Sequence, residues 1–131
     1  MTEKELWQIA REAAENAYAP YSHFHVGAAL LCADGTVYTG VNIENGSYGA
    51  TVCAERTALF HAVKDGRRDF TMLAVAAADA EGQETPAPPC GICRQTLSEF
   101  CGADFPVVFG TRDTLRRVTL GELLPHAFAL E

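Results

Sequence analysis

No apolar run in this chain approaches the roughly 18 residues needed to span a bilayer, so a membrane-crossing helix is not expected. Positive charge is also scarce. The 131 residues carry 10 Lys and Arg against 17 Asp and Glu, a net charge of −7, and only Arg67-Arg68 and Arg116-Arg117 are adjacent basic pairs. A protein that grips a nucleic-acid polymer shows a basic stripe, because phosphate contacts supply most of its affinity, so no such partner is expected. The start, Met1-Thr2-Glu3-Lys4-Glu5-Leu6-Trp7, lacks the basic flank and apolar stretch of a secretion signal, and a cytoplasmic location is expected. An even, regular set of cysteines is missing too. Five at irregular spacing, in a chain large enough to fold without staples, argue against a disulfide framework and for reduced thiols. No repeat occurs, and the connector around Pro86 is too short to separate domains, so one domain over 1–131 is expected.

Leu6, Ile9, Ala10, Ala13, Ala14 and Ala17 recur at helical spacing over residues 3–17, with Thr2 and Glu5 placed as a capping box. Tyr18-Ala19-Pro20-Tyr21-Ser22 breaks that helix. Residues 26–32 and 36–41, joined through Asp34-Gly35, read as a β-hairpin. After an Asn45–Gly49 loop, residues 52–64 have helical pattern and stop at Asp65-Gly66. The apolar run 70–78 reads as a buried strand, 81–89 as a Pro-bearing connector and 91–100 as a third helix. Strands over 106–109 and 115–119 and a short helix over 120–124 complete the chain. Strands interleaved with helices predict an α/β protein, a three-layer α/β/α sandwich around a mixed sheet of roughly five strands.

Three thiols fall in two clusters: Cys53-Ala54-Glu55 is answered by Pro89-Cys90-Gly91-Ile92-Cys93. Three thiolates hold one Zn²⁺ and leave a fourth position for water, while a carboxylate two residues from the first thiol can move that water's protons. An open zinc site beside a base is hydrolytic. Both clusters fall at predicted helix starts, where unpaired N–H groups and partial positive charge lower thiol pKa values. Pro89 suits a helix entrance, and Gly91 is expected to let the backbone pass close to the metal. The 36 residues between Cys53 and Cys90 are far more than the compact double knuckle of a structural zinc ribbon has. Three thiolates leave a net negative centre, and Arg56, three residues after Cys53, is placed to hydrogen-bond the sulfurs and withdraw charge. The plainer alternative is an ordinary surface arginine.

A Cys₃ zinc site with a non-ligand Glu and Pro-Cys-x-x-Cys resembles the zinc-dependent nucleobase deaminases. The likeness to the small homotetrameric cytidine deaminases extends nearly end to end. It runs through Ala19-Pro20-Tyr21-Ser22-His23-Phe24, Val26-Gly27-Ala28-Ala29-Leu30, Asn42-Ile43-Glu44-Asn45, Cys53-Ala54-Glu55-Arg56-Thr57-Ala58, Pro89-Cys90-Gly91-Ile92-Cys93-Arg94-Gln95 and Leu123-Leu124-Pro125-His126-Ala127-Phe128. The resemblance implies one zinc per chain on Cys53, Cys90 and Cys93, Glu55 as proton shuttle, and deamination of cytidine and 2′-deoxycytidine in pyrimidine salvage. It further implies that Phe24 packs on the nucleoside, that Asn42 and Glu44 hold the ribose, and that the Ala54 backbone contacts the base. Tyr48 and Phe128 would meet a neighbouring subunit near its site. His25 and His126 depart from the family's usual residues, which bears on loop shape and subunit contact only.

Other residues have simpler readings. Cys32 and Cys101 end apolar segments and belong to the core. His23, His25 and His61 suit loop hydrogen bonding, packing or solvent better than ligation. Phe24, Asn42 and Glu44, without the resemblance, would be a core residue and turn formers. Two other functions fit the same scaffold: deamination of a cytosine-nucleoside antibiotic or modified nucleoside, and a non-catalytic module stabilised by zinc.

Overall fold

The computed structural model describes residues 1–130, so Glu131, the last residue of the expected 1–131 domain, lies outside the described residues. Thr2 and Glu5 form the expected capping box and start α1 (Glu3–Ala13), which tightens into a 3-10 turn over Ala14–Asn16 instead of continuing to residue 17. The strands are β1 (His25–Cys32), β2 (Val37–Val41), β3 (Phe70–Ala78), β4 (Glu84–Thr85), β5 (Pro106–Thr111) and β6 (Thr114–Thr119). The remaining helices are α2 (Ala54–Lys64), α3 (Gly91–Ser98) and α4 (Leu120–Leu123), the last begun by a second capping box, Thr119 with Glu122. No helix among the described residues is long and apolar enough to cross a membrane.

The sheet runs β2-β1-β3-β5-β6, with β4 added beside β3, so it has six strands against the roughly five expected. β4 is only two residues long and lies in the Pro-bearing connector, where no alternation marks it. β1 pairs antiparallel with both β2 and β3, β3 runs parallel to β5, and β6 returns antiparallel. Such a parallel pair needs a crossover, and α3 lies on it.

Alternate strand residues face opposite sides, and the two faces differ in bulk. Ala29, Ala74, Ala76 and Val108 meet Leu6, Trp7 and Ala10 of α1. On the other face Leu30, Leu73, Val75, Val107 and Phe109 meet Ala54, Ala58, Leu59 and Ala62 of α2, Leu97 of α3 and Leu120 of α4. These are the three layers of the expected α/β/α sandwich. Fully burying a side chain such as Leu6 or Leu59 contributes about 1.5–3 kcal/mol, so the two faces together fix the helices to the sheet. Cys32 is buried and Cys101 packs against the larger cluster, as a core reading requires.

Two glycines set how closely the helices approach. A Cβ on Gly27 of β1 would strike the backbone oxygen of Ala10 in α1 and the nitrogen of Ala14, which opens the 3-10 turn after it. A Cβ on Gly40 of β2 would strike the Ala58 nitrogen and Ala54 oxygen in α2. The second contact brings the start of α2 against the end of β2.

Candidate active site

α2 starts at Ala54, two residues later than the pattern suggests, because Val52 pairs with Ile43 in an isolated bridge and Cys53 is the N-cap in extended conformation. Cys90 is likewise the extended N-cap of α3. Neither thiol caps its own helix, and the two turn toward each other. Their sulfurs lie 3.7 Å apart, Cys90 and Cys93 are separated by 3.5 Å, and all three lie within 4.8 Å of one another. Bonds of 2.3 Å to a tetrahedral zinc put sulfurs about 3.8 Å apart, so the donor set fits that ion. No His, Asp or Glu joins the group among the described residues, and a tetrahedral ion on three thiolates keeps one position open. All five cysteines are free. Gly91 has open space where its Cβ would be, so contacts within the chain do not require glycine there.

Arg56 is no ordinary surface residue. Its Nη2 donates to Cys53 Sγ at 3.5 Å, and its Nε is buried without a partner. Hydrogen bonding to Cys53 raises the guanidinium pKa, and bonds from Cys93 and Arg56 draw the Cys53 thiol below its ordinary value. Cys93, bonded to Cys53 and buried, moves upward. The negative charge of the cluster is thus shared with one fixed cation. Glu55, in the first turn of α2, is 4% exposed, and burial pushes its carboxyl up to about 7. A carboxyl in that range both accepts and donates a proton near neutrality.

Glu55 and two of the thiols, Cys53 and Cys90, line a cavity of about 310 Å³, within the range of small-molecule sites. Phe24, Asn42, Glu44 and Ala54 line the same cavity; Cys93 is buried and does not reach its surface. The expected substrate-binding residues are therefore together. Asn42 is more occupied than its expected role implies: its Nδ2 donates to the Phe24 carbonyl at 2.8 Å and its Oδ1 accepts from Val26 N at 2.9 Å. Glu44 accepts from Tyr21 N at 2.9 Å, Ser22 N at 3.1 Å and the Ser22 hydroxyl, and these bonds, the hydroxyl first, hold its carboxyl below the usual value.

Residues 1–110 match the family model described as the cytidine and deoxycytidylate deaminase zinc-binding region. The chain belongs to that family. A cytidine deaminase of Halalkalibacterium halodurans is 51% identical over 132 residues, covering 100% of this chain and 97% of that protein. The crystal structure of cytidine deaminase from Burkholderia pseudomallei superposes with a TM-score of 0.89 at 45% identity, covering 98% of this chain and 100% of that one. A blasticidin-S deaminase of Bacillus cereus is 34% identical over 125 residues, 92% of this chain and 88% of that protein. The deaminase family's zinc-binding region and the three converging thiols agree on the metal.

The cavity also has walls that the motifs do not mark: Ser22, Val26, Thr51, Val52, Ala87 and Pro88. Val52 reaches it through the bridge to Ile43, and Ser22 through the turn before Phe24. Tyr48 and Phe128 do not line it and are 85% and 67% exposed. Phe128 is held by its carbonyl, which accepts from Gln95 Nε2 of α3 at 3.0 Å. His23, His25 and His61, read as unsuited to ligation, stand apart from the thiols. His25 opens β1 opposite Ala78, His61 packs edge-on against Tyr38, and His23 sits in an exposed turn. His126 adopts a left-handed φ of 54°, a conformation that favours glycine.

Proposed function

We propose that this deaminase-family chain converts cytidine and 2′-deoxycytidine, with water, to uridine and 2′-deoxyuridine plus ammonia. The observation that carries the reading is the buried Glu55 beside three converging thiols, in one cavity with Phe24, Asn42 and Glu44. Cys53, Cys90 and Cys93 would hold one zinc ion, which would supply the Lewis acidity that makes water nucleophilic at neutral pH. Glu55 accepts one proton from water as its oxygen adds to C4 of the base and passes it to N3; it then takes the second proton from the C4 hydroxyl as the carbonyl forms and hands it to the amine, which leaves as ammonia. Phe24 packs on the nucleoside, the Ala54 backbone contacts the base, and Glu44 and the remaining N–H of Asn42 receive the sugar. An ionised Glu44 welcomes a hydroxyl and repels a 5′-phosphate, which favours a free nucleoside over a nucleotide.

The same reading has the chain acting in pyrimidine salvage, as one domain over 1–131. Five free thiols suit a reducing cytoplasm. The assembly is a homotetramer in which Tyr48 and Phe128 reach a neighbouring subunit. Deamination of an antibiotic such as blasticidin S has weaker support, since that relative is 34% identical and the cytidine deaminase 51%.

Metal analysis with a cytidine-to-uridine assay on wild type and Glu55→Gln tests the proposal. Wild type should hold one zinc per chain and release ammonia. Glu55→Gln should keep the zinc and lose at least about 100-fold in kcat, the lower range for a general acid–base group. Wild-type turnover in Glu55→Gln would overturn the role of Glu55, and zinc-loaded wild type inert toward every cytosine nucleoside would leave a non-catalytic module as the better description.

A further inference from the structure

Phe24 stands at the end of a turn whose conformation is unusual. His23, the residue before it, has φ of 58°, a left-handed conformation for a residue that is not glycine, and its N–H donates to the Ala19 carbonyl at 3.0 Å. Such a turn persists only when neighbouring contacts hold it. Both backbone polar groups of Phe24 are indeed held by side chains from outside the strand ladder. Its carbonyl accepts from Asn42 Nδ2, and its N–H donates to Ser22 Oγ at 3.0 Å.

The Ser22 hydroxyl has a second task, donating to Glu44 Oε2. A hydroxyl can accept and donate at once, which no apolar or purely acceptor side chain of that length can do. Glu44 Oε1 is meanwhile filled by the N–H groups of Tyr21 and Ser22. A carboxylate offers about four acceptor sites, so three are taken by residues 21 and 22 and one remains, on Oε2 beside the Ser22 hydroxyl. Ser22 itself lines the cavity together with Phe24 and Glu44.

We propose that Ser22 is a positioning residue for the deamination: its hydroxyl ties the carboxylate that receives the sugar to the aromatic wall that receives the base. This rests on the reading that Glu44 and Phe24 contact the nucleoside. Ser22 acts through both, fixing which Glu44 site stays free and holding the turn that delivers the Phe24 ring. The hydroxyl is not required for the thiol cluster, which is set by the N-caps of α2 and α3 and the first turn of α3.

Ser22→Ala and Ser22→Thr test it, with zinc content measured alongside cytidine kinetics. Ser22→Ala should raise KM roughly tenfold, the order expected when a hydrogen bond to a charged group is lost, with kcat and zinc within about twofold of wild type. Ser22→Thr, which keeps the hydroxyl, should restore KM. In a Glu44→Gln background the same Ser22→Ala change should add little, because its partner is already altered. An unchanged KM in Ser22→Ala, a Thr variant as impaired as Ala, or fully additive effects with Glu44→Gln would each overturn the proposal. Amide hydrogen exchange at Phe24 gives a readout independent of turnover and should be faster in Ser22→Ala. If wild type were inert toward cytidine, the deaminase reading would fall on that result, while unaltered Phe24 exchange would overturn the role of Ser22.

Discussion

We propose that Arg56 sets the character of the site from outside the cavity lining. Three thiolates on a divalent cation carry one net negative charge, and the guanidinium at 3.5 Å from Cys53 Sγ offsets it. Without that cation the cluster is more electron-rich, and water at the open position is harder to deprotonate. Arg56→Gln should therefore lower kcat about 10–100-fold, the usual range for a partner of a metal ligand, while KM for cytidine stays near the wild-type value. Arg56→Lys should recover part of the loss, since it keeps charge but not the planar fork. Steady-state kinetics with zinc quantified in each variant decides the matter. An unchanged kcat in Arg56→Gln, zinc still bound, would reduce Arg56 to a packing residue.

The elements place these residues by a close approach that no motif announces. Gly40 lets β2 touch the backbone of α2, and Thr57 pins the contact by donating to the Val41 carbonyl at 2.8 Å and the Ala54 carbonyl at 2.9 Å. Glu55 and Cys53 lie two and four residues before Thr57, at the start of the same helix. Gly40→Ala should cost about 1–3 kcal/mol by overpacking, and should also lower zinc occupancy and turnover because it lifts α2. Gly27→Ala makes the matching clash against α1, on the opposite face, and should lose stability with the zinc site intact. Thermal melts paired with metal analysis separate the two, and equal zinc loss in both variants would contradict this division of labour. α1 and α2 are legible in the sequence because each repeats the helical period over several turns, the hairpin because Asp34-Gly35 marks its turn, and β3 because it is a continuous apolar run. β4 has two residues, and the Ile43–Val52 bridge has no period, so neither leaves a pattern to read. The ligands and Glu55 are legible because metal chemistry constrains residue type and spacing together. Ser22, Thr51, Ala87 and Pro88 come from loops, where a wall residue is chosen by shape and carries no spacing rule.

At the scale of the whole molecule, large apolar side chains are left exposed on segments that also supply cavity residues. Tyr18 and Ile43 are 57% and 43% exposed and joined by a bridge, and Tyr21, 60% exposed, donates its N–H to the cavity residue Glu44. Tyr48 follows in the next loop, while Ile92, 63% exposed, sits two residues beyond Cys90, and Phe128 is held over α3 by Gln95. Single exposed apolar residues are common, but a neighbouring subunit of the kind proposed above would bury several of these at once. Cys90 is itself exposed, so a covering subunit would also shield the thiol cluster from solvent. In sedimentation or light scattering the protein should run as a tetramer of the 14.1 kDa chain. A Tyr48→Ser, Phe128→Ser double variant should shift toward smaller species and lose turnover in proportion, while each chain keeps its zinc, because Cys53, Cys90 and Cys93 all come from one chain. Full activity in a wild-type species that sediments as a monomer at assay concentration would refute the shared cavity mouth.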